Sequence, residues 1–198
     1  MIILNKPAGL LSVPGRGADK QDCMLSRCQL QHPETHVVHR LDMATSGIII
    51  FALTKEMQRE MSILFEKRQI KKGYIAKVHG VLRESKGLIN QPLMTHWAQR
   101  PKQKIDYKSG KPSTTRYELL EIIDNKNSLV KLQPVTGRSH QLRVHMSSLG
   151  HPILGDKLYG TALSRNASPR LLLHAQEISF THPATHRQIE ITCKADFL

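Results

Sequence analysis

The residues in this sequence that are best suited to chemistry surround Asp42. It follows His39 and Arg40 in a short segment between two strand-like stretches, in a chain with only 16 acidic residues. Loops held by rigid strands are where catalytic side chains concentrate. The alternative is a turn cap, because Asp-x-x-Thr is a common local hydrogen-bonding pattern. Residue types alone favour the cap.

A second candidate is Arg143. The pattern around it predicts a helix over residues 139–149, ending at Gly150 with Pro152 beyond it. Three apolar residues share one stripe of this helix: Leu142, Met146 and Leu149. Arg143 lies at the edge of the stripe, so it is either partly buried with an acidic partner or solvated at its tip. Spacing leaves both open.

The eleven histidines invite a metal interpretation. They cluster within residues 32–39, 140–145 and 182–186, but no cluster forms an HExxH motif and no cysteine pair accompanies them. Surface or ligand-facing roles are therefore favoured, and no metal site is predicted.

Composition points to a nucleic-acid partner. The 198 residues carry 29 Lys and Arg against 16 acidic residues, a formal charge of +13, which attracts polyanions. The longest apolar run, residues 48–53, is too short to cross a bilayer, and the N-terminus lacks a signal-peptide pattern. Three unpaired cysteines fit the reducing cytoplasm.

The chain shows no linker or repeat, which predicts a single domain over residues 1–198. Helices are predicted at residues 20–31, 55–67 and 139–149, with Thr54 able to cap the second. Strands are predicted at residues 37–38, 48–53, 74–78, 116–123, 129–132 and 188–193. Strands dominate without regular alternation with helices, so the predicted class is α+β with a mixed, mainly antiparallel sheet.

Residues 39–47, HRLDMATSG, resemble the HRLDxxTSG signature of RluA-type RNA pseudouridine synthases. Three further blocks agree in order and spacing: residues 5–9 (NKPAG), 137–145 (GRSHQLRVH) and 149–156 (LGHPILGD). Segments 170–175 and 182–183 also match, so the resemblance covers essentially the whole chain. It implies the α+β catalytic fold of pseudouridine synthases.

Residues 10–16 and 100–104 resemble the dual-specificity members of the family, which act on 23S rRNA and on the anticodon stem-loop of certain tRNAs. Two features depart from the family pattern. Met1 lies only four residues before the NKP motif, which leaves open whether the first strand is truncated and how it pairs. The sequence also has no room for the small N-terminal RNA-binding domain of many relatives, so target choice is expected to rest on the catalytic domain.

The resemblance implies that the chain converts specific uridines to pseudouridine by breaking the N1–C1′ bond and forming a C5–C1′ bond. Asp42 is then the catalytic carboxylate, either as a nucleophile at the sugar or as a base toward a sugar proton. Glycosidases need two carboxylates. Here no water is consumed, and uracil is both leaving group and nucleophile, so one carboxylate can suffice. No cofactor or metal is implied.

The resemblance also assigns roles to other residues. Arg143 pairs with Asp42 and keeps it ionised, and Tyr74 stacks on the uracil. Arg40 enters the space left when the target base is flipped out of the RNA. The remaining implied substrate-binding residues are Leu173, His39 and Arg138.

The expected partner is structured RNA, bound by a cytoplasmic protein that is expected to be a monomer and to have no membrane partner. The main alternative is a non-catalytic RNA-binding module, in which the charge acts alone and the Asp42 loop is architectural. A metal-dependent nuclease is a weaker third hypothesis.

Overall fold

The computed structural model describes all residues, 1–198. Its helices are α1 (Met24–Gln29), α2 (Lys55–Glu66), α3 (Gln141–Ser148) and α4 (Ala162–Asn166). The strands are β1 (Ile2–Lys6), β2 (His36–Val37), β3 (Ser46–Ala52), β4 (Lys71–His79), β5 (Lys86–Asn90), β6 (Leu93–Thr95), β7 (Gln103–Ile105), β8 (Thr114–Ile123), β9 (Asn127–Pro134), β10 (Leu173–Thr181) and β11 (Gln188–Thr192). The pair β3–β10 is parallel, and the other strand pairs described below are antiparallel. This mixed, mainly antiparallel sheet with separate helices confirms the predicted α+β class.

The chain forms two compact units. Unit 1 comprises residues 1–72 and 174–198, and unit 2 comprises residues 73–173. The single catalytic domain stays a prediction.

Strand β3 organises unit 1, and all seven of its residues are buried. It pairs antiparallel with β1 and β2 and parallel with β10, which also pairs antiparallel with β11. At Gly47, with φ of 111°, a Cβ would collide with the backbone of Ala175 on β10. Glycine is therefore required directly after the Asp42 loop.

Helix α2 covers part of this core. Thr54 caps it as predicted, since its hydroxyl accepts a hydrogen bond from the Met57 amide at 3.1 Å. Met61 is completely buried among β-strand residues such as Ile50 and Phe180. Burying these side chains stabilises the platform from which the Asp42 loop extends.

Unit 2 contains an antiparallel sheet in the order β4-β9-β8-β5, along with a separate β6-β7 pair. Tyr74 stands opposite Leu132 in the β4–β9 register. Helix α3 starts after His140, which has a left-handed backbone with φ of 53°, and Gly150 follows its end with φ of 87°. The glycine stop is as predicted.

Several local predictions need correction. The first helix starts at Met24 instead of residue 20, because Cys23 caps it by accepting the Ser26 amide. Leu149 does not complete an apolar stripe, since it is 40% exposed. The pairing of the first strand, which the sequence left open, is with β3 along the whole strand. The sequence pattern also missed β5, β6, β7 and β10.

Candidate active site

The Asp42 loop connects β2 to β3 in unit 1, as predicted, and Asp42 is half-buried. The segment of residues 6–12 holds the loop on both sides of Asp42. On one side, the Ser12 hydroxyl donates to the Leu41 carbonyl at 2.7 Å and accepts from the Leu41 amide at 3.0 Å. On the other side, the Met43 carbonyl accepts from the Gly9 amide at 2.8 Å. The backbone that carries Asp42 is therefore fixed at both neighbouring residues.

Lys6 is the third element of this support, and it is completely buried. Its ammonium donates to the carbonyls of Pro7, Leu10 and Met43 at 2.9, 2.7 and 3.1 Å. Burial lowers the pKa of Lys6 from 10.5 to about 8, although the negative charge of Asp42 acts in the opposite direction. The loop thus has a buried cation close enough to interact with its carboxylate.

His39 makes two contacts within the protein that hold its ring in place. Its Nε2 accepts a hydrogen bond from the Ile50 amide at 3.0 Å, and its ring stacks on Phe65 with centroids 4.6 Å apart. Burial, with a smaller effect from the charge of Lys72, lowers the pKa of His39 to about 3, so the ring is neutral with its proton on Nδ1. The role of His39 as a substrate contact stays a prediction.

Arg143 lies on α3 in unit 2 and is only 4% exposed, which excludes the solvated interpretation. Its Nε and Nη2 donate to the two carboxylate oxygens of Asp156 at 2.8 and 2.7 Å. This is the bidentate geometry that favours arginine over lysine. Two of the five guanidinium N–H donors therefore serve Asp156.

Asp156 is equally well held, with 1% exposure. One of its oxygens also accepts the amides of Leu158 and Tyr159 at 2.9 and 3.1 Å. Burial alone would raise the pKa of Asp156, but the hydrogen bonds and charge of Arg143, together with the two amides, lower it on balance. The carboxylate therefore stays ionised and fixes the plane of the guanidinium.

The loop before α3 depends on Gln141, whose side chain is buried and fully hydrogen-bonded. Its oxygen accepts from the Thr136 hydroxyl at 2.7 Å and the Arg138 amide at 3.0 Å. Its amide group donates to Thr114 and Thr115, each at 3.0 Å. These bonds fix where α3 begins and so where Arg143 sits.

The other predicted site residues differ in exposure. Arg40 and Arg138 are exposed, so their guanidinium groups can reach a ligand from solvent. Tyr74 is half-buried on β4, and Leu173 is 3% exposed at the start of β10. Arg40 lies in unit 1, and the other three lie in unit 2. Their roles toward a substrate stay predictions.

Sequence reasoning did not assign functions to Lys6, Ser12, Gln141 or Asp156. Lys6, Gln141 and Asp156 belong to blocks that carried the family resemblance, and Ser12 belongs to residues 10–16, which resemble the dual-specificity members, so the resemblance covered these positions without assigning their chemistry. The signal for Asp156 was the need of a buried arginine for an acid. Nothing in the local pattern marked Lys6, because an isolated lysine normally predicts exposure.

No cluster of three or more His, Cys, Asp or Glu side chains in the structure is arranged to hold a metal ion. No helix combines the length and the apolar character needed to cross a membrane.

Comparison with known proteins identifies the class. Residues 1–148 match the family model described as RNA pseudouridylate synthase, and the chain belongs to this family. Membership gives its activity: it is an RNA pseudouridine synthase, an isomerase that acts on uridine in RNA. The chain is therefore an enzyme and not a non-catalytic binding module.

Individual relatives narrow the class. The dual-specificity RNA pseudouridine synthase RluA of Escherichia coli K12 is 49% identical over 197 residues, covering 100% of this chain and 90% of the relative. The same-named protein of Yersinia pestis is 48% identical and is covered to 96%. The RluA-type resemblance of the motifs is thereby confirmed.

Solved structures agree with the fold. Human RNA pseudouridylate synthase domain containing 1 superposes with a TM-score of 0.82 at 29% identity, covering 99% of this chain and 80% of the other. Human RNA pseudouridylate synthase domain containing 4 gives 0.76 at 28% identity, with coverage of 98% and 85%.

Proposed function

We propose that Asp42 is the catalytic carboxylate and that the enzyme modifies uridines in hairpins of 23S rRNA and of a tRNA anticodon arm. The names of the RluA relatives support dual specificity. The observation that carries the catalytic assignment is the double clamp on Leu41 and Met43, which flank Asp42. A side chain on a backbone held this firmly needs little reorganisation to meet a reacting atom.

Asp42 acts in one of two ways. As a nucleophile, it attacks C1′ while the N1–C1′ bond breaks, and the uracil later displaces it through C5. As a base, it removes a sugar proton while the uracil leaves, and it returns that proton to the sugar when the uracil re-adds through C5. Both routes need an ionised carboxylate, and both end with loss of the C5 proton. The buried Lys6 ammonium and the negative charge of Asp42 attract each other.

Arg143 pairs with Asp42 in this proposal. Asp156 holds the guanidinium plane through two of its five N–H donors, and the proposal assigns a further donor to Asp42. Arg143 would then act as a positioning residue that keeps the catalytic carboxylate charged and aimed. The near-complete burial of the Arg143–Asp156 pair supports this role, because buried guanidinium geometry is preorganised.

Tyr74 and Leu173 bind the uracil, Tyr74 by stacking and Leu173 as an apolar wall. Arg40 occupies the gap left by the flipped uridine, which its exposed position allows. His39 and Arg138 also contribute to substrate binding, Arg138 by direct contact and His39 mainly by holding the loop that carries Arg40. We further infer a cytoplasmic monomer that works without a cofactor or metal.

Tritium release from 5-labelled uridine in the two hairpins tests the assignment. Asp42→Asn keeps the shape and removes the charge, so turnover should be lost while RNA affinity stays close to wild type. The matched control is Asp124→Asn, at an exposed turn with φ of 51°, a backbone that asparagine adopts readily. Turnover by Asp42→Asn within tenfold of wild type would remove Asp42 from catalysis. Activity on a single hairpin would remove dual specificity alone.

A further inference from the structure

Trp97 is the only tryptophan in the chain, and it is 66% exposed. It begins a short 3-10 turn, Trp97–Gln99, which lies between β6 and β7. An indole buries more apolar area than most side chains when it joins a core. Its exposure here therefore marks a surface available for contact.

The ring is part of a stacked pair. The guanidinium carbon of Arg100 lies 3.7 Å from the centre of the indole, and Arg100 itself is exposed. The pair combines an aromatic plane with a planar cation. These are the two kinds of surface on which proteins stack unpaired RNA bases.

The charge around this pair favours a polyanion. Residues 96–108 contain four basic side chains and one carboxylate, that of Asp106. Asp106 is engaged by Lys104 at 3.0 Å. Phosphate groups on either side of a stacked base would therefore meet Arg100, Lys102 and Lys108.

The pair is also held rigidly. The His96 amide donates to the Lys102 carbonyl at 2.8 Å, and the Gln99 amide donates to the His96 carbonyl at 2.9 Å. Gln103, the first residue of β7, donates a hydrogen bond from its backbone amide to the Tyr159 hydroxyl at 2.7 Å.

Tyr159 connects this hairpin to the arginine network. Its amide binds Asp156, and its ring centre lies 5.1 Å from the Arg143 guanidinium. Its hydroxyl accepts from the Gln103 amide and shares a hydrogen bond of 2.7 Å with His140 Nδ1. A base docked on Trp97 would therefore sit at a fixed position relative to Arg143.

We propose that Trp97 and Arg100 form a docking site for one unpaired base of the substrate loop, a base other than the target uridine. Basic side chains of the same hairpin hold the phosphates next to that base. This inference rests on the proposed RNA substrate and adds a residue that determines loop specificity. It assigns the contact to RNA, and not to a protein partner, because a planar cation stacked on an indole within a basic hairpin matches a base and its phosphates.

Fluorescence gives the first test, since Trp97 is the only source of tryptophan emission. The probe is the tRNA anticodon hairpin, titrated into Asp42→Asn protein to prevent turnover. Stacking should quench the emission and protect the ring from acrylamide. Saturable binding, followed by anisotropy of a label on the RNA, with unchanged emission and acrylamide access would overturn the proposal. This readout does not depend on whether pseudouridine forms, so failure of the proposed function remains distinguishable.

A coupling experiment gives the second test. Trp97→Ala should weaken binding of the hairpin about 5- to 150-fold, the range for loss of one stacked base, while Trp97→Phe keeps most of the affinity. Leu163→Ala, at an aliphatic side chain that is 72% exposed, is the control and should bind like wild type.

Hairpins with one abasic loop nucleotide locate the stacked base. At that nucleotide, base removal should weaken wild-type binding but have little further effect on Trp97→Ala. Equal abasic penalties at every loop position in both proteins would overturn the proposal, as would Trp97→Ala affinity within twofold of wild type. Thermal unfolding at the wild-type temperature would show that the variant folds.

Discussion

Replacing Lys6 by methionine tests the buried ammonium beside Asp42. Its pKa falls from 10.5 to about 8 in the folded protein. At roughly 1.4 kcal/mol per pKa unit, burying the charged form costs about 3 kcal/mol at neutral pH. Methionine removes that cost but leaves the carbonyls of Pro7 and Leu10 without this donor, at about 1–3 kcal/mol each. These effects nearly offset, so we expect the variant to lose at most about 3 kcal/mol at pH 7.

The pH dependence is the sharper test. Because the pKa of Lys6 is lower in the folded than in the unfolded chain, the unfolded chain binds more protons between pH 8 and 10.5. The free energy of unfolding of the wild type should therefore rise with pH in this window, relative to Lys6→Met, by about 3 kcal/mol. Other groups that titrate there are common to both proteins, so they cancel in the difference.

Denaturant unfolding of both proteins at a series of pH values from 7 to 10 gives this difference directly. Lys126→Met, at an exposed lysine, serves as the control and should follow the wild type throughout. Parallel curves for wild type and Lys6→Met would refute the conclusion that folding depresses the pKa of a buried Lys6.

Three further predictions concern the rest of the site. Asp156→Asn should slow turnover sharply and lower the free energy of unfolding by about 3–5 kcal/mol, because it leaves the Arg143 charge buried without its carboxylate; denaturant unfolding with wild-type stability would contradict this. Tyr74→Phe should keep RNA affinity and Tyr74→Leu should lose about 1–3 kcal/mol of it, and equal dissociation constants would rule out stacking. Alanine at Lys102 and Lys108 should flatten the salt dependence of binding for both hairpins, and an unchanged slope would exclude phosphate contacts.

Elements with a strong local pattern could be predicted from the sequence. The β-branched run of β3 and the capped helix α2 occur where their residues indicate. Strands β5, β6 and β7 have three to five residues each and carry no clear alternation. Their existence depends on pairing with distant segments, which local periodicity does not report. The parallel contact of β3 with β10 joins residues 128 positions apart at Ser46 and His174.

The candidate site likewise has a part that the local sequence predicts and a part that depends on distant segments. Spacing left Arg143 either solvated or paired, because α3 alone does not reveal what packs against it. The answer depends on the turn after α3, where Gly155, with φ of 74°, lies so close to the Arg170 carbonyl that a Cβ would not fit. That turn brings Asp156 back to the guanidinium. The block of residues 149–156 includes this turn, but only the structure shows that the turn places Asp156 against Arg143.

The buried cations Arg143 and Lys6 have different kinds of partner, and this difference affects the pH range in which the enzyme is active. Arg143 faces a carboxylate whose pKa is lowered on balance, so this pair stays charged from acidic to alkaline pH. Lys6 is surrounded by carbonyl dipoles and keeps a pKa of about 8. A loss of activity above pH 8 should therefore originate at Lys6, in the same range where the wild type gains stability over Lys6→Met. If Lys6→Met keeps measurable turnover and loses it above pH 8 in parallel with the wild type, the alkaline limit belongs to another group.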